Sequence, residues 1–274
     1  YTTAWSFDPD RFLREMQRLY ERGARNFKFV DRPFNLKVDD AVRILRFFLD
    51  CLAQGGDDPA DRLFVHFEVI PDHLPERLRQ LIAQFPAGSL QLEVGIQTFD
   101  EAVQQLISRR QDNTKSEANL RWLLGCSQAH VHADLIFGLP GETLASFAQG
   151  FDRLYRLRPH EIQLGLLKRL RGTPIDRHTA EYGMVYADAP PYAVQQTAAV
   201  DALEMRRFNR FARYWDVVAN SGRFRQTLPL LLGEDSNASS AFALFMNFSD
   251  WLWERAQRTN GLSPESLVDA LFAH

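Results

Sequence analysis

Residues 131–143 read Val-His-Ala-Asp-Leu-Ile-Phe-Gly-Leu-Pro-Gly-Glu-Thr, and this stretch leads from a strand into a helix. Every second side chain from Val131 to Phe137 is apolar, which is the pattern of a strand with one buried face. Gly138 and Gly141 then allow the backbone to approach a neighbour closely, and Thr143 can cap the next helix. By spacing alone, this turn is either a loop that contacts a ligand or a tight turn that contacts none.

Strands and helices alternate in the same way over the first 175 residues. Apolar residues at helical spacing separate five short runs with the composition of strands. These predicted strands are Asn26–Asp31, Leu63–Val69, Leu90–Gln97, Val131–Gly138 and Glu161–Lys168. The alternation predicts an α/β fold in which crossover helices join parallel strands.

Three polar residues stand near the C-terminal ends of these strands: Glu68, Gln97 and Asp134. Parallel barrels and open parallel sheets place their chemistry at those ends, where the loops into the helices converge. We therefore predict that the three side chains lie at one rim. Each of them has an alternative role as a strand-end group that hydrogen-bonds to a neighbouring loop.

The alternation ceases after residue 174, and helical patterns follow. They cover Ala193–Tyr214, Ala238–Arg258 and Ser263–Phe272, and we predict no strand among them. The predicted organisation is a partial barrel in residues 1–175 and an all-helical domain in residues 176–274.

The composition excludes several classes of protein. Apolar residues make up 45% of the 274 residues, charged residues make up 24%, and the formal net charge is −3, so disorder is not expected. No apolar run approaches the roughly 20 residues that a membrane-spanning helix requires, and the first residues lack a secretory signal. With only two cysteines, the predicted location is the cytoplasm. The slightly acidic charge argues against nucleic-acid phosphates as the main partner.

The string from Asp134 to Thr143 resembles the radical S-adenosylmethionine superfamily. The resemblance also rests on four shorter strings, which are Phe29–Asn35, Glu68-Val69, Gly95-Ile96-Gln97 and Arg109-Arg110-Gln111. It runs over residues 8–175 and is strongest to the oxygen-independent coproporphyrinogen oxidases and to Fe–S oxidoreductases that carry a cobalamin domain. It implies a six-stranded partial (β/α) barrel that binds S-adenosylmethionine across its strand ends.

The resemblance implies a role for each matching polar residue. Glu68 is expected to hold the amino group or the ribose of S-adenosylmethionine. Gln97 and Asp134 are expected to bond the ribose hydroxyls, and Arg109 is expected to pair with the methionine carboxylate. These roles suit the residue types, because carboxylates accept from an ammonium or a diol and a guanidinium matches a carboxylate.

Ile136 and Gly138 are implied to flank the adenine. The implied reaction is reductive cleavage of S-adenosylmethionine to a 5′-deoxyadenosyl radical, or methyl transfer if a cobalamin domain lies upstream. The implied partners are a small-molecule substrate that the sequence does not identify and a reductant such as flavodoxin or ferredoxin.

The cysteines depart from the pattern of this superfamily. Its members hold a [4Fe–4S] cluster with three cysteines in a C-x-x-x-C-x-x-C loop after the first strand, whereas this chain has only Cys51 and Cys126. Both are expected to be buried structural thiols on helices outside the barrel. The chain also begins with Tyr1 rather than methionine. We therefore expect the C-terminal portion of a larger enzyme, without its first strand and cluster loop and catalytically inactive by itself.

A zinc-dependent barrel hydrolase is an alternative of a different class. His130, His132 and Asp134 alternate on one strand, and His66 precedes Glu68 in the same way on another. Alternating histidines can share a metal and leave a position open for water. The competing interpretation is that these histidines are packed and hydrogen-bonded in the protein interior.

A second alternative is a non-catalytic binding or docking module. Four arginines interleave with aromatic residues in one predicted helix: Arg206, Arg207, Arg210 and Arg213 with Phe208, Phe211, Tyr214 and Trp215. This pattern fits a nucleic-acid surface, but a solvated or domain-docking helix face explains it as well. A later aromatic cluster from Phe242 to Trp253 follows helical spacing, and we expect most of it to be core.

Overall fold

The computed structural model describes residues 8–30, 33–55, 61–233 and 240–274. Five parallel strands form one sheet in the order β1-β2-β3-β4-β5, which confirms the predicted α/β class. The strands are β1 (Asn26–Lys28), β2 (Phe64–Val69), β3 (Leu90–Gln97), β4 (His130–Phe137) and β5 (Glu161–Leu166). The helices between and before them are α1 (Pro9–Glu21), α2 (Val38–Gln54), α3 (Glu76–Ile82), α4 (Glu101–Leu106), α5 (Asn113–Cys126) and α6 (Leu144–Leu157).

The predicted apolar faces of the strands are confirmed. Val65 and Phe67 of β2 are fully buried, as are Leu90 and Leu92 of β3. Burial also alternates strictly along β4, where every second side chain from Val131 is buried. Strand ends are less accurately predicted: β1 has only three residues, and Asp31, its predicted end, lies outside the described residues.

The chain forms two compact units. Unit 1 contains the residues up to Gly95 together with Asp112–His132, and unit 2 contains Ile96–Gln111 and Ala133–His274. The predicted domain boundary after residue 175 stays a prediction.

In unit 1, α2 buries one face against aromatic residues of the strands. Phe48 of α2 packs on Phe27 of β1 with ring centroids 5.2 Å apart. Phe34, which precedes α2, stacks on Phe67 of β2 with centroids 3.9 Å apart. Buried Asn35 holds the turn after β2, because its Oδ1 accepts from Ile70 N at 2.7 Å and its Nδ2 donates to Ile70 O at 2.9 Å. The asparagine that ends the Phe29–Asn35 string therefore has a structural role.

Unit 2 continues after β5 with further α-helices. They are α7 (Ala202–Trp215), which runs on into a π-helical turn (Asp216–Asn220), then α8 (Leu228–Leu231), α9 (Ala241–Ala256) and α10 (Pro264–Ala273). Helix α9 packs on both α6 and α7. Phe211 lies at the centre of their aromatic core, 4.8 Å from Phe242 and 5.2 Å from Phe245. Most of the predicted Phe242–Trp253 cluster is therefore core.

The prediction of an all-helical extension needs correction. Two short strands, β6 (Val185–Tyr186) and β7 (Val194–Gln196), pair antiparallel. The helix predicted from Ala193 begins at Ala202 instead, where the Asp201 side chain accepts from the backbone N–H groups of Leu203 and Glu204. Strands of two or three residues are too short to show an alternating pattern in the sequence.

The arginine-rich face of α7 packs within unit 2. Asp250 of α9 accepts from Arg207 Nε at 2.7 Å and lies 3.7 Å from Arg210 Nη2. The aromatic residues between the arginines are all buried: Phe208, Phe211, Tyr214 and Trp215. Arg207 and Arg210 therefore pack on α9, whereas Arg206 and Arg213 are exposed. The docking of another domain or a partner stays a prediction.

Side chains of the α7 segment also cover the outer edge of β5. Asn220 Oδ1 accepts from Ile162 N at 3.2 Å, and Asn220 Nδ2 donates to Ile162 O at 3.0 Å. Trp215 Nε1 donates to the same carbonyl at 3.0 Å. Further along, Val194 N donates to Leu167 O at 2.8 Å.

Across the described residues, no helix combines the length and the apolar character needed to cross a bilayer.

Candidate functional site

A cavity of about 210 Å³ opens in unit 2 at the ends of β3 and β4. Gln97 and Ile136, two of the predicted site residues, both line it. Leu139 and Leu167 add apolar wall, and Ile175 lies in a 3-10 helix (Pro174–His178) that forms another side. The structure thus brings one polar and one apolar predicted residue together around a largely apolar space.

The backbone makes an unusual turn at Gln97. Its φ is +67°, in the left-handed region, and Thr98 N donates to Ile96 O at 2.9 Å. A residue other than glycine adopts this conformation only where the surrounding structure holds it there. Thr98, the next residue, is buried with 3% of its surface exposed.

The two glycines of the turn after β4 both have positive φ and close neighbours. Gly138 has φ +83°, and a Cβ added there would lie 2.6 Å from Val194 Cγ1 and 3.2 Å from Met205 Cε. Gly141 has φ +79°, and its Cβ would lie 3.1 Å from Leu106 Cδ1. Close approach at Gly138 is thus to β7 and α7, and its predicted contact with adenine stays a prediction. Thr143 caps α6 as predicted, accepting from Ser146 N at 3.0 Å.

Glu142 is the most unusual ionisable group of unit 2. It has no exposed surface, and its Oε1 accepts from the Thr98 hydroxyl at 2.7 Å. Its Oε2 is also buried, with no hydrogen-bond partner among the residues that the structure describes. Burial raises the pKa of Glu142 to about 8; the Asp100 charge pushes the pKa the same way, whereas the Thr98 bond lowers it. Glu142 is therefore mainly a neutral acid at pH 7.

Arg109 follows the end of α4 in a segment fixed by several hydrogen bonds. Its N–H donates to Gln104 O at 2.8 Å, and its Nε donates to Gln111 Oε1 at 2.8 Å. Arg177 also holds the preceding turn, with Nη2 donating to Leu106 O at 2.9 Å and to Ser108 Oγ at 2.6 Å. The segment is rigid, and the predicted pairing of Arg109 with a carboxylate stays a prediction.

Asp134 lies two residues before Ile136 on the same half-buried face of β4. This places it on the strand face that leads to the cavity, as the alternation predicted. Its proposed bond to ribose hydroxyls stays a prediction.

In unit 1, Glu68 lies near the end of β2, next to Glu93 of β3 in the parallel register. His66 Nε2 lies 3.1 Å from Glu93 Oε2. Burial lowers the pKa of His66, Lys28 lowers it further, and Glu93 opposes them. The convergence of Glu68 with the residues of unit 2 stays a prediction.

Parts of this chain are similar in sequence to known protein families. A family model described as a protein of unknown function (DUF4080) matches residues 180–274. Oxygen-independent coproporphyrinogen III oxidase from Thermostichus vulcanus is 33% identical over 75 residues, which are 27% of this chain and 23% of that enzyme. The chain thus spans less than a quarter of the length of this curated relative.

Solved structures show the same fold. Coproporphyrinogen III oxidase (HemN) from Escherichia coli, a radical S-adenosylmethionine enzyme, superposes with a TM-score of 0.53 at 19% identity, over 82% of this chain and 51% of that one. The radical S-adenosylmethionine methyltransferase TsrM from Kitasatospora setae, solved with tryptophan and a S-adenosylmethionine analogue, gives 0.55 at 20% identity, over 72% and 38%. This chain is related to the radical S-adenosylmethionine superfamily.

Radical S-adenosylmethionine enzymes such as TsrM bind a [4Fe–4S] cluster, and the two cysteines of this chain do not fit one. Cys51 is buried, and burial raises the pKa of its thiol to about 11, so it is not a thiolate. Cys126 is exposed, which corrects the expectation that both are buried, because it is the last residue of α5. Cluster ligation requires several thiolates together.

The described residues do not form the predicted zinc site of the alternative hydrolase. The rings of His130 and His132 are 6.4 Å apart, and His132 Nδ1 lies 3.3 Å from Gln91 Nε2. Within 8–30, 33–55, 61–233 and 240–274, no three His, Cys, Asp or Glu side chains are placed to hold a metal ion. Packed histidines explain the pattern.

Sequence reasoning missed the residues that hold the site together. Glu142 stands within the quoted 131–143 stretch, and Thr98 directly follows Gln97. Their bond joins residues 44 positions apart, and no local pattern marks such a pair. The contact between Glu93 of β3 and His66 of β2 likewise joins residues far apart in the sequence.

Proposed function

We propose that this chain supplies the S-adenosylmethionine-binding portion of a radical S-adenosylmethionine enzyme and that the cavity of unit 2 takes the nucleoside of that ligand. The observation that carries the proposal is the presence of Gln97 and Ile136 in one cavity wall. The relation to coproporphyrinogen III oxidase and the shared fold support it.

The size and lining of the cavity suit part of the ligand. At about 210 Å³, it is smaller than the roughly 300–1,000 Å³ of pockets that enclose whole drug-sized ligands. It therefore fits one ring system better than a complete S-adenosylmethionine molecule. Ile136, Leu139 and Leu167 offer apolar surface to a flat base, and the Gln97 amide can both donate and accept at ribose hydroxyls.

The methionine end of the ligand would extend out of the cavity toward the other predicted ligands. Arg109 offers a guanidinium for the carboxylate, and Asp134 offers an acceptor for hydroxyl groups. The role of Glu68 in unit 1 as a ligand of the amino group or the ribose stays an expectation.

The remaining chemistry requires groups that these residues do not hold. A [4Fe–4S] cluster, if held by cysteines outside this chain, would supply the electron for cleavage of S-adenosylmethionine. The same proposal assigns electron delivery to flavodoxin or ferredoxin and leaves room for a cobalamin domain, as TsrM binds cobalamin. By itself, the chain is expected to bind S-adenosylmethionine without cleaving it.

Calorimetric titration of the purified chain with S-adenosylmethionine tests the proposal. We expect one molecule bound per chain, competition by adenosine, and weaker competition by methionine alone. Ile136→Ala is expected to weaken binding about tenfold through lost apolar contact. The control is Leu203→Ala, a 63% exposed position on α7, which should bind as the unmodified chain does. Absence of binding, or binding that ignores both Ile136→Ala and adenosine, would falsify the assignment.

A further inference from the structure

We propose that Glu142 is a positioning residue that acts through Thr98 to hold Gln97 in the conformation in which its side chain lines the cavity. This inference rests on the proposed function, because its consequence for a ligand is the affinity for S-adenosylmethionine. Glu142 itself is not among the residues assigned to contact that ligand.

Glu142 and Thr98 are joined by a direct hydrogen bond, and both residues are buried. The Thr98 hydroxyl donates to Glu142 Oε1 at 2.7 Å, and the two residues have 3% and 0% of their surfaces exposed. A hydroxyl has only one proton to donate, so Glu142 takes the whole donor capacity of Thr98. Removing either partner leaves the other buried without this bond.

The hydrogen bond to Glu142 is one of several that hold Thr98 in place. The Thr98 hydroxyl oxygen also accepts from Asp100 N at 3.1 Å, and its carbonyl accepts from Gln104 Nε2 at 2.8 Å. Its N–H closes the turn to Ile96 O at 2.9 Å. Thr98 is therefore held by its backbone and its side chain, and the hydrogen bond to Glu142 reaches it from the turn after β4.

Gln97 needs this restraint because of its backbone. With φ at +67°, it occupies a region that costs a non-glycine residue energy. If Thr98 loses its hydrogen bond to Glu142, Gln97 can relax toward ordinary strand geometry. That relaxation would turn its side chain away from the wall it shares with Ile136.

The turn after β4 is held at its own end by the same contact. Glu142 N donates to Leu139 O at 3.2 Å, and Leu139 lines the cavity. Glu142 thus connects the wall formed by the β4 turn with the wall formed by the end of β3. The bond is therefore a link between the two walls in addition to the pairing of β3 with β4 in the sheet.

The protonation state of Glu142 makes the proposal specific. A neutral carboxylic acid accepts from Thr98 through a carbonyl oxygen, as a glutamine amide does. The charged neighbour facing it is Asp100, which disfavours ionisation, as burial does. Raising the pH through about 8 would place a charge in this buried site. The Thr98 bond offsets only part of the cost of burying that charge, so we expect the two turns to loosen around it.

The test compares two pairs of variants in the full chain. Glu142→Ala and Thr98→Val remove the bond, and each should weaken S-adenosylmethionine binding about tenfold at pH 7. Glu142→Gln and Thr98→Ser keep an acceptor and a donor, and each should stay within about threefold of the unmodified chain. Affinity of the unmodified chain should fall above about pH 8, and that fall should be absent in Glu142→Gln, which a merely space-filling role would not produce.

A measurement without ligand separates the two proposals. Hydrogen exchange at the Thr98 amide should accelerate in Glu142→Ala and Thr98→Val and stay slow in the conservative pair. If the unmodified chain binds no S-adenosylmethionine, the proposed function fails, while the exchange rates still decide whether Glu142 holds the turn. If Glu142→Ala does not fold, Thr98→Val against Thr98→Ser gives the same comparison. Equal exchange and equal affinity within both pairs would overturn the inference.

Discussion

Among single residues, Glu142 is the group that ties the stability of the fold to pH. Its carboxyl has a pKa of about 8 in the folded chain and an ordinary value of 4.5 when exposed. Between these values the folded chain holds a proton that the unfolded chain has released. The stabilisation is therefore fully present below about pH 4.5 and is lost as pH rises through about 8.

We expect Glu142→Gln to remove this part of the pH dependence. Its free energy of unfolding should change less between about pH 5.5 and pH 9 than that of the unmodified chain, and at pH 9 the variant should be the more stable protein. Urea denaturation at several pH values measures both curves. Since other groups titrate in both proteins, the difference between the curves isolates Glu142, and parallel curves would show that its carboxyl titrates normally.

Gly138 gives a second prediction at this scale. Alanine there would have to adopt φ +83° and place its Cβ 2.6 Å from Val194 Cγ1. Left-handed geometry costs about 1–2 kcal/mol and overpacking adds about 1–3 kcal/mol, so Gly138→Ala should lower the free energy of unfolding by about 3 kcal/mol.

Gly172→Ala is the matched control for Gly138→Ala. Gly172 has φ +82° but nothing within 4 Å of the added Cβ, so only the backbone cost of about 1–2 kcal/mol applies. Adding Val194→Ala to Gly138→Ala should recover part of the loss. Equal costs at the two glycines, measured by chemical denaturation, would argue that packing against β7 is unimportant.

At the scale of elements, the π-helical turn after α7 supports β5. Asn220 makes two hydrogen bonds to the backbone of Ile162, and Asn220→Ala leaves both groups without those partners. We expect a loss of about 1–3 kcal/mol in the free energy of unfolding and faster hydrogen exchange at the Ile162 amide. Asn260→Ala, at an exposed side chain that accepts only a long 3.4 Å bond from Arg213, is the control and should change stability little.

Elements that bury a whole face were predictable from the sequence, and the short ones were not. Strands β2, β3 and β4 each offer three or more alternating apolar residues, such as Leu90, Leu92 and Val94, and burial follows that pattern. Strands β6 and β7 have two and three residues, so they contain no full period. The α7 helix was recognised, but its start was misplaced because Asp201, its cap, lies eight positions after the predicted beginning.

The candidate site was predictable only in part, for a related reason. Gln97 and Ile136 stand at the ends of recognisable strands, and the topology of a parallel sheet brings such ends to one edge. Thr98 and Glu142 meet only through tertiary structure, across 44 positions. The buried state of Glu142 therefore depends on how the turn packs, which the letters Gly-Leu-Pro-Gly-Glu do not specify.

For the molecule as a whole, the cysteines give a prediction about cofactor content. Anaerobic incubation of the purified chain with iron and sulfide should yield no stoichiometric [4Fe–4S] cluster, because Cys51 is a buried thiol with a pKa of about 11 and Cys126 lies exposed on another helix. Iron analysis and visible absorbance measure the outcome. A double Cys51→Ser, Cys126→Ser variant sets the background, and cluster absorbance that vanishes in that variant would contradict the prediction.

The covered edge of β5 also bears on how copies of the protein behave at high concentration. An exposed strand edge offers unpaired backbone groups to any other chain and can seed fibrils or exchanged-strand dimers. Here a side-chain amide imitates a neighbouring strand at Ile162, and the backbone of Val194 occupies Leu167. These contacts occupy the edge at the two ends of β5 and therefore hinder the addition of another strand at those positions.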